Sequence, residues 1–193
     1  MMKYYQEISL LSGTEISPYF IWQKLYQQIH LALVENKTEK NTSKIGIAFP
    51  GYDGERFLLG AKPRLFAEEK QSLEDMQCEK WLSRLCDYVQ VETIATVPEK
   101  LVGHACFRHV KMKGSKEKLA RRRAKRKGET FEQALAHFAD YAEQRSKLPF
   151  INMTSQTNGL HFRLFIEKQV KEQPQRGQFS CYGLSNTSTV PLF

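Results

Sequence analysis

Between Arg108 and Lys127 stand eleven cationic side chains (Arg108, Lys111, Lys113, Lys116, Lys118, Arg121, Arg122, Arg123, Lys125, Arg126 and Lys127) and one acid, Glu117. No folded core can hold that segment, so the rest of the chain must fold around it and leave it facing water or a ligand. The full chain has 193 residues and a formal net charge of +8, from 29 Lys+Arg against 21 Asp+Glu. Outside the block acids slightly outnumber bases, so the net charge belongs to this one segment. A polyanion-binding element is the expected role.

A charge run is often a disordered tail, but these flanks are those of a helix. Gly114-Ser115 offers an N-cap, and Lys116 to Lys127 holds good helix formers with no β-branched residue. Gly128 is a C-terminal stop, and Thr130-Phe131-Glu132-Gln133 reads as a capping box opening a further helix, expected to run to about Lys147. Leu119 is the one sizeable apolar side chain from Lys116 to Lys127, so the helix buries no broad face. Lys118, Arg122 and Arg126 fall on one stripe, where like charges repel until an anion relieves them.

The remaining sequence can fill a core, with 41% hydrophobic and 11% aromatic residues. Tyr4 to Leu11 reads as a strand. Ser17-Pro18 then opens a helix whose Ile21, Leu25, Ile29 and Leu33 recur down one side to about Glu35. Strands are expected at Lys44–Pro50 and Phe57–Phe66, a second helix from about Glu68 to Asp87, and β structure from Tyr88 to Val97. That β-α-β-β-α-β order is the split βαβ or ferredoxin-like arrangement, so the fold class is α+β. The expected division is a ferredoxin-like domain over 1–98, and a second α+β domain over 99–193 carrying the basic helix at 115–127. In the second half, strands are expected at Leu101–Met112, Phe150–Thr154, His161–Glu167 and Phe179–Leu184.

No apolar run approaches a membrane span, and the start lacks a secretory leader, so a cytoplasmic location with no membrane partner is expected. Cys78, Cys86, Cys106 and Cys181 form no Cys-x-x-Cys pair. His104, Cys106 and His109 lie close in sequence but lack a fourth ligand and the usual spacing, so no metal site is expected. Neither a phosphate loop nor a dinucleotide fingerprint is present, nor close-set carboxylates for two metals. On pattern alone His30, at the margin of the first helix's apolar stripe, reads as a structural histidine. Ser155 and Tyr182 read as turn or edge residues by the same standard.

A resemblance changes that reading. Leu148-Pro149-Phe150 and Ser155-Gln156-Thr157-Asn158-Gly159-Leu160-His161-Phe162-Arg163-Leu164-Phe165-Ile166 resemble a signature of the CRISPR repeat-processing endoribonucleases of type I-F systems. Cys181-Tyr182-Gly183-Leu184-Ser185 and the ending Val190-Pro191-Leu192-Phe193 are similar to that family's C-terminus. Ile29-His30-Leu31-Ala32-Leu33-Val34, Ile45-Gly46-Ile47-Ala48-Phe49-Pro50 and the arginine-rich helix match in order, so the likeness covers nearly the whole chain.

The resemblance implies a ferredoxin-like N-terminal domain and an arginine-rich helix that grips the stem of the repeat hairpin. It implies one cut per repeat at the 3′ foot of the stem, without metal or cofactor, the mature guide RNA staying bound. Other subunits of a type I-F surveillance complex are implied as partners. His30 falls on the general base, Ser155 on the serine that fixes the reacting ribose, and Tyr182 on the tyrosine that orients the histidine. Phe162 falls on the aromatic beneath the last base pair, and Arg121, Arg122, Lys125, Arg126 and Lys127 on the groove contacts, with Lys118 on the same basic stripe. Thr157 replaces a serine near the scissile phosphate. Ungapped alignment sets His109 and Lys111 on an Arg and a Gln that read bases near the cut, with Arg108 one position early.

The chemistry suits these assignments. RNA carries its own nucleophile, the 2′-hydroxyl, so a protein need only deprotonate it and hold it in line with the phosphorus. A neutral imidazole can take that proton near pH 7, and the expected products are a 2′,3′-cyclic phosphate and a 5′-hydroxyl. The competing expectation is a hairpin-binding subunit without catalysis, in which His30 is structural. A general basic DNA-binding protein, indifferent to the 2′-hydroxyl, is the third.

Overall fold

In the computed structural model, described over residues 1–13, 15–39, 41–52, 59–142 and 146–193, helices and strands are mixed throughout. The first strand, β1 (Tyr4–Leu10), leads into α1 (Pro18–Glu35), β2 (Thr42–Ser43), β3 (Gly46–Ala48) and β4 (Arg64–Ala67). Then come α2 (Lys70–Met76), α3 (Cys78–Leu82), a 3-10 turn at Ser83–Leu85, β5 (Val89–Val91) and β6 (Ala95–Thr96). The rest is β7 (Gly103–Val110), α4 (Lys116–Lys127), α5 (Phe131–Ala136), β8 (Phe150–Thr154), β9 (His161–Lys171), β10 (Phe179–Ser180) and β11 (Val190–Leu192).

The chain forms two compact units, one of residues 1–110 with 149–193 and one of residues 111–148. In the first, an antiparallel sheet runs β3-β4-β1-β5, with β6 also pairing β1. A second antiparallel sheet runs β11-β7-β9-β8, and a small pair joins β10 to β2. One continuous core serves both sheets. It gathers Ile8, Leu65 and Phe66 from the first, Ala105, Phe107, Leu164 and Ile166 from the second, and the apolar side of α1. The expected stripe Ile21, Leu25, Ile29 and Leu33 is buried, together with Trp22, Tyr26 and Ala32. Pro18 starts the helix as expected, although Ser17 caps it through its backbone position alone.

Several expected elements change where burial overrides local pattern. The helix expected over Glu68–Asp87 breaks at Gln77, which is left-handed at φ 49°, ψ 52°. In an unbroken helix Met76 and Cys78 would point about 200° apart. The kink lets both, with Leu73 and Leu82, enter the core. The expected strand Phe57–Phe66 is seen as Arg64–Ala67, and Phe57 and Leu58 lie outside the described residues. β9 continues past Glu167 to Lys171 because β7 pairs with it down to His104, whatever the side chains. Of the expected Phe179–Leu184 strand only Phe179–Ser180 pairs, and the remainder turns back through Gly183 at φ +68°.

The second unit is helical. In α4 the Ser115 hydroxyl accepts from the Lys118 N–H and Gly128 closes the helix at φ 70°, both as the sequence implies. Thr130 and Gln133 form the expected capping box of α5. The expected run to Lys147 fails, and α5 ends at Ala136. Beyond it the ladder tightens to i→i+3 turns, while Lys116 Nζ donates to the Ala139 carbonyl and Tyr141 Oη to that of Gly114. Those longer-range bonds take the chain back along α4 and out of helix. Ala120 and Ala134, both fully buried, allow α4 and α5 to pack closely.

Candidate active site

His30 lies in the last turns of α1, whose neighbouring turns fix it from below. One turn earlier, Tyr26 is fully buried and donates its hydroxyl to the Tyr182 carbonyl at 2.7 Å. The His30 Nδ1–H donates to the Cys181 carbonyl at 2.8 Å, the ring nitrogen being the donor because a carbonyl can only accept. In the neutral ring this bond assigns the tautomer, and Nε2 is left with its lone pair. Tyr182 lies flat on the imidazole, ring centroids 4.1 Å apart and planes 2° from parallel. Burial pushes the His30 pKa below the ordinary 6.5, and the Cys181 carbonyl only partly opposes the shift. Burial thus favours the free base of the ring, with Nδ1 engaged by the Cys181 carbonyl.

The turn that supplies Cys181 and Tyr182 depends on a glycine. Gly183 is left-handed, and a Cβ there would sit 2.4 Å from Ile47 Cγ1. Its carbonyl accepts from the Ile47 N–H at 2.9 Å, which seats the turn on β3. Gly46 plays the reciprocal part, since a Cβ on it would meet the Phe179 ring at 2.7 Å. The Ile45–Pro50 and Cys181–Ser185 stretches thus fit against each other.

Ser155 and Thr157 occupy the loop joining β8 to β9. The Ser155 N–H donates to the Leu160 carbonyl, and its own carbonyl accepts from the Gly159 N–H at 2.8 Å. Ser155 is half-buried and Thr157 exposed. Phe162 stands at the start of β9, half-buried, with its ring edge-on to Tyr182 at 6.5 Å. His30, Tyr182 and Phe162 are therefore one aromatic group. The Ser155 loop is joined to α1 through Gln27, whose Oε1 accepts from the Thr154 N–H at 3.3 Å. The Nε2 of His30 and the hydroxyl of Ser155 take no hydrogen bond from the described residues.

On β7, Arg108 and His109 point to opposite faces, as neighbours on a strand must. Arg108 Nε is bonded to the Glu167 carboxylate, which also accepts from Gln169 Nε2 at 2.9 Å. His109 stands opposite Ile166 in the register. One face of the sheet can therefore present only one of the two. The same alternation puts His104 and Cys106 on the face away from His109, and no group of three or more His, Cys, Asp or Glu gathers among the described residues.

In the helical unit, Lys118, Arg121, Arg122, Lys125, Arg126 and Lys127 are all exposed, and none is in a salt bridge among the described residues. Arg121 lies 5.9 Å from the Phe131 ring centre. Arg123 differs: its fork grips Glu129 through two bonds at 2.9 and 3.0 Å, and Nη2 donates to His137 Nε2 at 3.0 Å. One arginine thus anchors the helix while six cations face solvent. Lys111 is exposed as well.

The family model described as CRISPR-associated protein (Cas_Csy4) matches residues 5–193. The chain belongs to that family. It is 34% identical over 193 residues to the CRISPR-associated endonuclease Cas6/Csy4 of Escherichia coli (strain UTI89 / UPEC), covering 100% of both chains. To the CRISPR-associated endonuclease Cas6/Csy4 of Pseudomonas aeruginosa (strain UCBPP-PA14) it is 33% identical, again over 100% of both. A solved chain described as an RAMP protein binding different RNA substrates aligns over 98% of this one and 100% of its own length at 9% identity and TM-score 0.40.

For this member of the Cas_Csy4 family, the sequence pointed to His30, Tyr182 and Phe162, which the structure brings together. It missed Tyr26, Gln27 and the Cys181 carbonyl. Gly183 had a visible signal, a glycine inside an aromatic-rich turn. Gln27 had none, since a glutamine on a half-buried helix face is ordinary.

Proposed function

We propose that this chain binds the hairpin of a CRISPR repeat and cuts pre-CRISPR RNA at the 3′ foot of the stem. His30 Nε2 takes the proton from the 2′-hydroxyl of the nucleotide before the cut. The oxygen attacks the adjacent phosphorus, the bond to the 5′-oxygen breaks, and that oxygen takes up a proton. A 2′,3′-cyclic phosphate and a 5′-hydroxyl result. No metal or other cofactor enters these steps. Ser155 fixes the ribose, Thr157 attends the phosphate, Tyr182 holds the imidazole in plane, and Phe162 stacks beneath the last base pair. The α4 cations grip the stem, with Arg108, His109 and Lys111 candidates for contacts near the cut. The guide RNA stays bound and joins other subunits of a type I-F complex in the cytoplasm. We read 1–98 as a ferredoxin-like domain, a reading supported by the strand order β3-β4-β1-β5 with α1 and α2–α3 as its crossovers, and 99–193 as the hairpin-binding domain.

The observation that carries this reading is the tautomer of His30. With Nδ1–H given to Cys181, the unprotonated nitrogen is a base of suitable strength near pH 7, where a carboxylate would be too weak and a lysine already protonated. The test is to incubate the protein with a repeat transcript in EDTA, beside a substrate with hydrogen in place of the 2′-hydroxyl at the cut. Cleavage of the first and tight binding without cleavage of the second are expected. Hairpin binding with no product from the unmodified transcript would leave a non-catalytic hairpin-binding subunit. Equal affinity for duplex DNA would leave a general basic protein.

A further inference from the structure

β8 is the edge strand of its sheet, paired with β9 on one side only. In an antiparallel pair every second residue turns its N–H away from the partner. Ser155 bonds inward to Leu160, so the N–H of Thr154 points to the open edge. There it finds Gln27 Oε1 at 3.3 Å. Gln27 precedes His30 by three residues on α1, so the two share a side of the helix. The three side chains Tyr26, Gln27 and His30 thus make bonds to Tyr182, Thr154 and Cys181 respectively.

Gln27 is an expensive residue for a purely structural role. Its Nε2 is buried and has no hydrogen-bond partner among the described residues. An orphaned buried donor is destabilising, and an apolar side chain of the same length would avoid it. What Gln27 does that such a side chain could not is accept the Thr154 N–H, one residue before Ser155. We propose that Gln27 is a positioning residue, which ties the Ser155 loop to the helix that carries His30. The proposal rests on the roles given above to His30 and Ser155. The tether fixes the distance between the group that holds the ribose and the base that deprotonates it.

The test uses the full chain and a repeat hairpin transcript in single-turnover cleavage at saturating protein, with hairpin affinity and melting temperature measured alongside. Gln27→Met keeps the volume and loses the acceptor. It is expected to cleave about 10- to 100-fold more slowly, the range for a reacting group displaced by about an ångström. Hairpin affinity should stay within about twofold, and melting should be unchanged or higher because the orphan donor is gone. Gln27→Glu keeps an accepting oxygen and should recover most of the lost rate. A wild-type rate in Gln27→Met, or a Gln27→Glu as slow as Gln27→Met, would overturn the role of Gln27 while leaving the mechanism standing. A folded His30→Ala that cleaves like the wild type would instead remove the mechanism.

Discussion

In α4 the signals that form the helix lie close together in the chain: the Ser115 cap, the Gly128 stop and the solvent-facing cations between them. At His30 the partners come from the far end. Cys181 is 151 residues away along the chain, and Tyr182 is 156 from the Tyr26 that holds it. The basic helix is a local object. The histidine pocket exists only when the β10 turn, the β8–β9 loop and α1 have all been assembled. Affinity and chemistry should therefore come apart under mutation.

The largest effect expected is on the pocket. His30→Ala should fold and bind the hairpin nearly as tightly as wild type, yet cleave at least ~100-fold more slowly, the usual loss for a positioned base. A matching fall in affinity would show that the two regions are not separable. Phe162→Leu sharpens the boundary, because Phe162 belongs to the aromatic group of the pocket but would touch the RNA directly. Loss of a stacked aromatic typically costs ~1–3 kcal/mol per base. That loss should appear in hairpin affinity with melting little changed, whereas a mainly core role would lower the melting temperature and leave affinity intact.

A smaller effect is expected from the helix. Arg122→Ala with Arg126→Ala should weaken binding and flatten its salt dependence by about one to two in the log–log slope, since each lost phosphate contact releases roughly one counterion fewer. The cleavage rate at saturating protein should hold. An unchanged affinity and slope would remove α4 from the interface.

The same contrast explains what could be read from the sequence. Caps, stops and the charge stripe of α4 are local signals, and so is the apolar stripe of α1; the structure contains both elements. The α5 end was not legible, because Lys116 and Tyr141 draw residues 137–141 out of helix through bonds that no local window contains. Nor was the break at Gln77, which answers to the burial of Cys78. His30 shows the limit most plainly. Its pattern fits a structural histidine, and only the resemblance singled it out. The physical difference, a spoken-for Nδ1 and a flat tyrosine above the ring, is set by residues near 181.

The central claim is that burial favours the neutral form of His30 while the Cys181 carbonyl, by taking the Nδ1–H, leaves Nε2 as the base. Burial disfavours the imidazolium, so the free base, and with it the activity, should persist to lower pH than for an exposed histidine. The most direct measurement is the cleavage rate of the wild type against pH, in EDTA, with trace RNA and subsaturating protein, where the profile reports the groups of the free protein. The rate should rise with pH with a midpoint below 6.5 and be level through neutrality. A midpoint at or above 6.5, a rate indifferent to pH across that range, or arrest by the chelator would contradict it.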